Sequence, residues 1–239
     1  AGKIMNDESL YAQQWDVSSK YFYEKGHYHW MASKIGQFST VLEIGCGTGY
    51  GTVALIEKGF DVISIDKNAV CIERAKALID TMKLTDKVQF ITGDIADDTF
   101  RKNLLNDYSF DVVICWNVGT YWNREMMQYY LPYMLEYGLT ISQIKQNPES
   151  SYSELVIWET CRIAKLKGVA AHIVDRGAET VTAYTDPYYK SLKTEFGFSR
   201  IEYDNRIADS ISDGGRILST NGVVNGEKKV DIVFVSILL

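Results

Sequence analysis

The chain has 239 residues, 46% of them hydrophobic and 23% charged, which is ordinary for a globular domain that can bury a substantial core. Its formal net charge of −6 argues against a nucleic-acid partner, because surfaces that bind phosphates are basic. No segment has the apolar length of a signal peptide or a membrane span, and the four cysteines are widely spaced. We therefore expect a cytoplasmic protein with no membrane partner and no disulfide framework.

The N-terminal segment is rich in aromatic and titratable side chains. Residues 18–35 predict one helix interrupted at Gly26, or two short helices, with aromatic residues on more than one face. One face is expected to pack on the body and another to line a site, although core packing is the alternative for each side chain. His27, Tyr28 and His29 form the titratable cluster of this segment and are candidates for a general base.

A glycine-rich turn follows the first predicted strand. Residues 40–44 form a run of apolar or strand-compatible residues, glycine then stands at every second position from 45 to 51, and a helical stretch follows. Glycine permits positive φ angles and lets a ligand lie against the backbone. The helix start adds free N–H groups that suit an anionic or carboxylate group. The pattern therefore predicts a ligand-binding turn.

The dinucleotide fingerprint G-x-G-x-x-G/A is one interpretation of this turn. Two frames fail, because Tyr50 and Thr52 stand where glycine or alanine is required. A third frame, from Gly49 to Ala54, fits formally but would place the turn several residues beyond the strand end. It stays open as the alternative.

Two further predicted strands end near acidic residues. Asp66 lies 21 positions after Gly45, an offset at which a carboxylate reaches the ribose hydroxyls of an adenosine ligand. The other strand ends with Asp94, and Ile95 follows. Asp66 could instead cap the next helix, although Asn68 can serve that purpose.

The remaining pattern alternates strands and helices. A fourth strand is predicted within residues 110–119. The segments that follow are a helix at 153–167, a strand at 169–175, a helix at 184–196 and strands at 198–203 and 230–238. Pro187 is expected in the first turn of the third of these segments. His172 lies in the buried fifth strand and is expected to be a hydrogen-bonded core residue. Two final strands that pair antiparallel complete a three-layer α/β sandwich.

Residues 120–150 form a second irregular segment, rich in tyrosine and methionine. Apolar side chains cover more than one stripe of the predicted helix, as expected for a helix between the body and a cap. Aromatic faces attract cations, so this segment is a candidate pocket wall. Core packing is again the alternative for each tyrosine.

The stretch Glu43-Ile-Gly-Cys-Gly-Thr-Gly49 after a hydrophobic strand resembles motif I of the class I methyltransferases that use S-adenosylmethionine. This resemblance extends through most of the chain and implies a seven-stranded, mostly parallel sheet of order 3-2-1-4-5-7-6 whose last strand is antiparallel. It also implies an N-terminal helical lid over residues 1–37, and a methyltransferase domain over residues 38–239 with the aromatic-rich insertion at about 120–150.

The resemblance also implies roles for individual residues. Asp66 would hold the ribose, Asp94 would meet the adenine amino group with Ile95 on the ring, and Trp116 and Asn117 would lie near the methionyl end and the acceptor. N-terminal tyrosines often face the sulfonium in this family. The residues expected to contact the cofactor are Tyr21, Glu43, Gly45, Cys46, Gly47, Gly49, Asp66, Lys67, Asp94, Ile95 and Trp116, with Tyr28 as a further candidate.

Two subfamilies are disfavoured by the residues after the fourth and fifth strands. Residues 115–118 lack both prolines of the N-P-P-Y-like tetrad of nucleic-acid amino-methyltransferases, which argues against methylation of a nucleobase. Metal-dependent O-methyltransferases place acids at both strand ends, whereas this chain has Trp116 at one and Asp175-Arg176 at the other. One carboxylate is too few for Mg²⁺, so no metal is expected.

The sequence thus predicts transfer of the methyl group of S-adenosylmethionine to an N or O atom of a small-molecule acceptor, with S-adenosylhomocysteine as product. A neutral amine needs only a free lone pair, whereas a hydroxyl benefits from a base, for which His27, Tyr28 and His29 are the candidates. Two alternatives stay open: methylation of a peptide or protein side chain, and binding of the cofactor without catalysis. The sequence determines neither the acceptor nor the oligomeric state.

Overall fold

The computed structural model describes residues 7–116, 124–213, 216–217, 219–220, 223–224 and 229–239. The helices in these ranges are α1 (Asp7–Glu24), α2 (His27–Ser33), α3 (Tyr50–Glu57), α4 (Ala69–Thr81), α5 (Asp98–Asp107), α6 (Arg124–Tyr137), α7 (Ile141–Gln146), α8 (Pro148–Lys167) and α9 (Tyr189–Phe196). The strands are β1 (Thr40–Ile44), β2 (Asp61–Asp66), β3 (Val88–Thr92), β4 (Val112–Trp116), β5 (Ala170–Gly177), β6 (Glu202–Ser210), β7 (Ser212–Asp213), β8 (Arg216–Ile217), β9 (Ser219–Thr220), β10 (Val223–Val224) and β11 (Val230–Leu238).

Seven of the described strands form the main sheet, in the order β3-β2-β1-β4-β5-β11-β6. The five strands from β3 to β5 are parallel to their neighbours, and β11 is antiparallel to both β5 and β6. Counting the strands of this sheet along the chain, β11 is the seventh. The predicted order 3-2-1-4-5-7-6 with an antiparallel last strand is therefore confirmed.

Hydrophobic cores lie on both faces of the sheet because successive strand residues point to opposite sides. In β1, Leu42 and Ile44 belong to the core that includes Leu155 of α8, whereas Val41 belongs to the core that includes Phe22 of α1. Helices therefore cover the sheet on both sides. The ends of the parallel strands stay accessible at one edge, where ligands of such sheets bind.

The N-terminal segment folds as two helices separated at Gly26, whose φ of 76° is left-handed. This agrees with one of the two predicted alternatives. However, α1 begins at Asp7, well before the predicted start at residue 18, so Tyr11 and Trp15 belong to the same helix. The function of this segment as a lid remains a prediction.

Two late elements differ from their predicted bounds. The carboxylate of Asp186 accepts hydrogen bonds from the amides of Tyr189 and Lys190, so α9 begins only after Pro187 and not around it. The prediction of Pro187 in the first helical turn is therefore wrong. Strand β6 begins later than predicted and pairs with β11 along its whole length.

The aromatic-rich insertion contains α6, α7 and the start of α8. Tyr130 and Met134 of α6 are buried, while Tyr129 on the same helix is exposed. Asn117 lies outside the described residues, between β4 and α6.

Two further features concern the helices and the cysteines. Within the described ranges, no helix is long and apolar enough to cross a membrane. The four cysteines, at positions 46, 71, 115 and 161, are buried free thiols.

Candidate functional site

The turn after β1 takes a path that requires glycine. Gly45, Gly47 and Gly49 have φ angles of 77°, 56° and 98°, values that residues with a Cβ rarely adopt. A Cβ on Gly49 would also lie 3.0 Å from the backbone of Ala75 in α4. The turn therefore brings its own backbone close to α4 and directs the start of α3, for which Gly49 is the N-cap residue.

A main pocket of about 620 Å³, counted with its open mouth, lies over this turn at the ends of β1, β2 and β3. Helices α1 and α8 form its other walls. The residues that line it are Tyr11, Trp15, Ile44, Gly45, Gly47, Ile65, Asp66, Lys67, Asn68, Gly93, Asp94, Ile95, Tyr152 and Val156. Six of the residues expected to contact the cofactor are thus brought together in one pocket.

Asp66 connects the end of β2 to the glycine turn. One carboxylate oxygen accepts a hydrogen bond from the amide of Gly47 at 2.9 Å, and the other accepts one from the amide of Asn68 at 2.8 Å. Burial raises the pKa of Asp66, and these hydrogen bonds partly offset that effect. The side chain of Asn68 caps α4 by accepting from Val70 and Cys71, so capping of that helix does not depend on Asp66.

Asp94 and Lys67 form the other end of the main pocket. The carboxylate of Asp94 accepts hydrogen bonds from the amide of Ala96 at 3.0 Å and from the hydroxyl of Tyr130. The ammonium of Lys67 lies 3.8 Å from the ring centroid of Tyr152 and 5.0 Å from that of Tyr130. Residues of α6 and α8 therefore hold two of the predicted cofactor contacts in place.

A smaller pocket of about 290 Å³ adjoins the first and shares Trp15 and Gly45 with it. Its lining residues are Trp15, Ser19, Tyr28, Glu43, Gly45, Cys46, Tyr50, Gly51 and Trp116. Aromatic rings from α1, α2, α3 and β4 thus enclose a space beside the glycine turn. Burial raises the pKa of Tyr28 to about 12, so its hydroxyl stays protonated at neutral pH.

Glu43 supplies the carboxyl group of the smaller pocket. One of its oxygens accepts hydrogen bonds from the hydroxyl groups of Thr52 at 2.5 Å and Ser64 at 2.7 Å. Burial raises the pKa of Glu43 to about 7, although both hydrogen bonds favour the charged form. This side chain therefore changes its protonation state close to neutral pH.

Trp116 is held by a buried hydrogen-bond chain. Its indole N–H donates to Nδ1 of His172 at 2.8 Å, and Nε2 of His172 lies 2.8 Å from the hydroxyl of Ser236. The imidazole must therefore be the neutral tautomer that carries its proton on Nε2. Burial lowers the pKa of His172 to about 3. His172 is thus a hydrogen-bonded core residue, as expected.

The structure does not bring the three base candidates together. Nδ1 of His27 accepts a hydrogen bond from Arg206 at 2.9 Å, and the pKa of His27 is lowered to about 4 by burial and by this guanidinium. His29 lies 3.2 Å from the carboxylate of Glu57, near the surface. Of the three, Tyr28 lines one of the two pockets described above, and neither histidine does. The three side chains therefore do not line one pocket together, because α2 turns successive side chains in different directions, and their catalytic role stays a prediction.

Tyr21 also lies away from both pockets. Its hydroxyl donates to Asp209 of β6, and the ammonium of Lys25 lies 5.5 Å from its ring centroid. This contact fastens α1 to the edge of the sheet. The predicted contact between Tyr21 and the cofactor is not supported by this placement.

The sequence interpretation missed the pocket-lining residues that two helices contribute: Tyr11 and Trp15 of α1, and Tyr152 and Val156 of α8. Trp15 packs so closely on the turn that a Cβ on Gly47 would lie 2.7 Å from its indole nitrogen. Each pair is spaced by four residues, so each lies on one face of its helix. That spacing was available in the sequence, but the direction of each face depends on how the helix packs.

Comparison with known proteins agrees with this geometry. Residues 41–135 match a family model described as a methyltransferase domain. This range contains the glycine turn, Asp66, Asp94 and Trp116, and the sheet order is the one that the resemblance implied. Residues 41–135 therefore form a methyltransferase domain, of the class I type that uses S-adenosylmethionine.

Curated relatives of this chain differ in what their names say they act on. It is 32% identical over 92 residues to a sterol 24-C-methyltransferase of Pneumocystis carinii, which covers 37% of this chain and 24% of that protein. It is 35% identical over 74 residues to a cypemycin N-terminal methyltransferase of a Streptomyces species, which covers 31% of this chain and 26% of that protein. Each alignment therefore spans about a quarter of the relative.

The methyltransferase fold also matches solved structures over most of its length. A SAM-dependent methyltransferase from Agrobacterium tumefaciens superposes with a TM-score of 0.50 and 12% sequence identity, covering 90% of this chain and 61% of that one. At this identity the match concerns the fold alone.

Proposed function

We propose that this methyltransferase uses S-adenosylmethionine as donor and methylates an N or O atom of a small-molecule acceptor, releasing S-adenosylhomocysteine. One observation carries the proposal: Gly45, Asp66 and Asp94 line a single pocket, and a second, aromatic pocket adjoins it at Trp15. Two adjoining pockets suit a reaction in which a group passes from one bound molecule to another.

The residues of the main pocket fit an adenosyl compound. Asp66 and Asp94 lie at the ends of two paired strands, since Asp66 pairs in register with Thr92 of β3. Their carboxylates can accept hydrogen bonds from ribose hydroxyls and from an adenine amino group respectively. The glycine turn lets the donor lie against the backbone, and Ile95 offers an apolar surface to the purine.

The smaller pocket fits the site of transfer. S-adenosylmethionine carries its methyl group on a sulfonium, which makes that group electrophilic. The chain therefore has to align the acceptor and exclude water. Tyr28, Tyr50 and Trp116 surround the smaller pocket, and aromatic faces also favour a cation. His172 fixes the orientation of Trp116 through its hydrogen bond.

A small acceptor is favoured because the smaller pocket is enclosed by side chains of four elements. A second candidate is methylation of a peptide, which the similarity to the cypemycin N-terminal methyltransferase favours. Such an acceptor needs a more open cleft than these pockets offer. We also propose that transfer needs no metal ion and that no nucleic acid is methylated.

The test is transfer of labelled methyl from S-adenosylmethionine into a cell extract, with and without a chelator. Label in compounds that pass a small-pore filter supports the proposal, and label retained with protein or peptide supports the second candidate. Label in nucleic acid, or transfer abolished by the chelator, would contradict it. Binding of S-adenosylhomocysteine without any transfer would identify a protein that binds the cofactor only.

A further inference from the structure

Tyr130 of α6 contacts a residue that the proposed function assigns to the donor. Its hydroxyl donates a hydrogen bond to Oδ2 of Asp94, which precedes it by 36 residues. Tyr130 is buried, with 3% of its surface exposed. The hydroxyl of Tyr130 thus connects the aromatic-rich insertion to Asp94 in the main pocket.

The contact limits how the Asp94 carboxylate can turn. Oδ1 accepts from the amide of Ala96 at 3.0 Å, while Oδ2 accepts from Tyr130. A carboxylate can accept about four hydrogen bonds, so both oxygens keep capacity for a ligand. Because each oxygen already has one partner, the direction of the remaining lone pairs is set by the protein.

Packing fixes the phenol itself. The ring of Tyr130 lies 4.8 Å from that of Tyr129 and 4.9 Å from that of Tyr152, measured between centroids. The ammonium of Lys67 lies 5.0 Å from the same ring. Burial raises the pKa of Tyr130, which keeps the hydroxyl a donor. These ring contacts do not use the bond to Asp94, so a phenylalanine at this position should keep the ring in place. The substitution also removes the hydrogen bond between the hydroxyl groups of Tyr130 and Tyr152.

We infer that Tyr130 is a positioning residue for the purine amino group: it holds the Asp94 carboxylate so that its free acceptor sites face that group. The inference rests on the proposed function, in which the carboxylate of Asp94 accepts a hydrogen bond from the adenine amino group. It predicts that Tyr130 contributes to selectivity for a 6-amino purine over a 6-oxo purine, because a carboxylate is left without its donor when the amino group is replaced by an oxygen.

The experiment measures the affinity of S-adenosylhomocysteine and of its deaminated analogue, S-inosylhomocysteine, by titration calorimetry. The variants are Tyr130→Phe and, as matched control, Tyr129→Phe, which removes the hydroxyl of an exposed neighbour on the same helix. Tyr130→Phe should weaken binding of the adenosyl compound about tenfold and of the inosyl compound less than about twofold. Tyr129→Phe should leave both affinities unchanged.

Other outcomes overturn the inference. Equal weakening of both compounds would show a structural role, and tighter binding of the adenosyl compound would show that Tyr130 competes with the amino group. A second measurement uses Asp94→Asn, in whose background Tyr130→Phe should no longer change the preference. If the unmodified protein binds neither compound, the proposed function fails together with the inference, whereas strong binding without the selectivity change defeats the inference alone.

Discussion

The carboxylate of Asp66 lies 2.9 Å from the amide nitrogen of Gly47 and accepts its hydrogen bond. The acid at the end of β2 and the turn after β1 are therefore one unit. An acid that is fixed in this way needs no rearrangement of its own chain before it can accept a ribose hydroxyl. The same carboxylate also stabilises the turn on which the donor would lie.

Replacing this acid should weaken donor binding. In Asp66→Asn the charge and one acceptor are lost, and a hydrogen bond to a charged group contributes about 1.5–3 kcal/mol. We expect the affinity for S-adenosylhomocysteine to fall about 10- to 100-fold by titration calorimetry. Asp107→Asn, which changes an exposed acid in α5, is the control and should bind normally. Unchanged affinity in Asp66→Asn would contradict the assigned role.

A side chain at Gly47 should be costly for two separate reasons. Its φ of 56° disfavours any Cβ, and that Cβ would lie 2.7 Å from the indole nitrogen of Trp15. Gly59→Ala is a matched control, because Gly59 has a φ of 97° with open space around it. Gly47→Ala should lower the free energy of unfolding by about 2–3 kcal/mol, against about 1 kcal/mol for the control, in urea titrations. Equal losses would show that Trp15 does not restrict the turn.

Most of the fold could be predicted from the sequence because strand ends carry strong local signals. The bounds of β1 and β11 agree with the predicted runs and β2 ends at the predicted acid, since buried strands carry a clear apolar pattern. Asn68 caps α4 as its side-chain chemistry suggested. Helix α1 was missed before residue 18 because its buried side chains are interspersed with polar ones.

The candidate site was predictable only where it lies on the sheet. Gly45, Asp66 and Asp94 sit at strand ends, whose relative positions follow from the sheet order. Trp15 and Tyr152 reach the pocket from helices, and the rotation of a helix about its axis depends on tertiary packing. For the same reason, adjacency in sequence did not place His27 and His29 with Tyr28.

Two of the base candidates, His29 and Tyr28, should differ in their effect on turnover. His29 lies against Glu57 near the surface, so His29→Ala should transfer labelled methyl at the normal rate. Tyr28 lines the smaller pocket and keeps its proton at neutral pH, so Tyr28→Phe removes a hydrogen-bond donor from this pocket and should slow transfer about tenfold. Initial rates with the acceptor fraction identified from extract provide the measurement. A large loss in His29→Ala would restore the histidine as a candidate base.

Glu43 should make stability fall as the pH rises. Its pKa is raised from 4.5 in the unfolded chain to about 7 in the fold, so the folded state binds the extra proton between these values. The stabilisation is complete below about pH 4.5 and is lost as the pH rises through 7, at up to about 1.4 kcal/mol per pH unit. Glu43→Gln cannot titrate, so its stability relative to the unmodified protein should increase over this range in urea titrations. A difference that does not depend on pH would contradict the raised pKa.

His172 should have the opposite effect on the acid side. Its pKa is lowered from 6.5 to about 3, so below pH 6.5 the unfolded chain binds a proton that the folded chain does not accept. The cause is visible in the structure: Trp116 donates to Nδ1, the atom that would have to be protonated, in a fully buried site. Stability should therefore fall as the pH drops from about 6.5 toward 4, by up to about 1.4 kcal/mol per pH unit.

The variant His172→Asn tests this dependence. It loses packing and should be less stable than the unmodified protein at neutral pH, but because an amide does not titrate, this difference in stability should shrink at acid pH. Urea titrations at several pH values check this, and parallel pH profiles of the two proteins would show that His172 does not stay neutral in the fold.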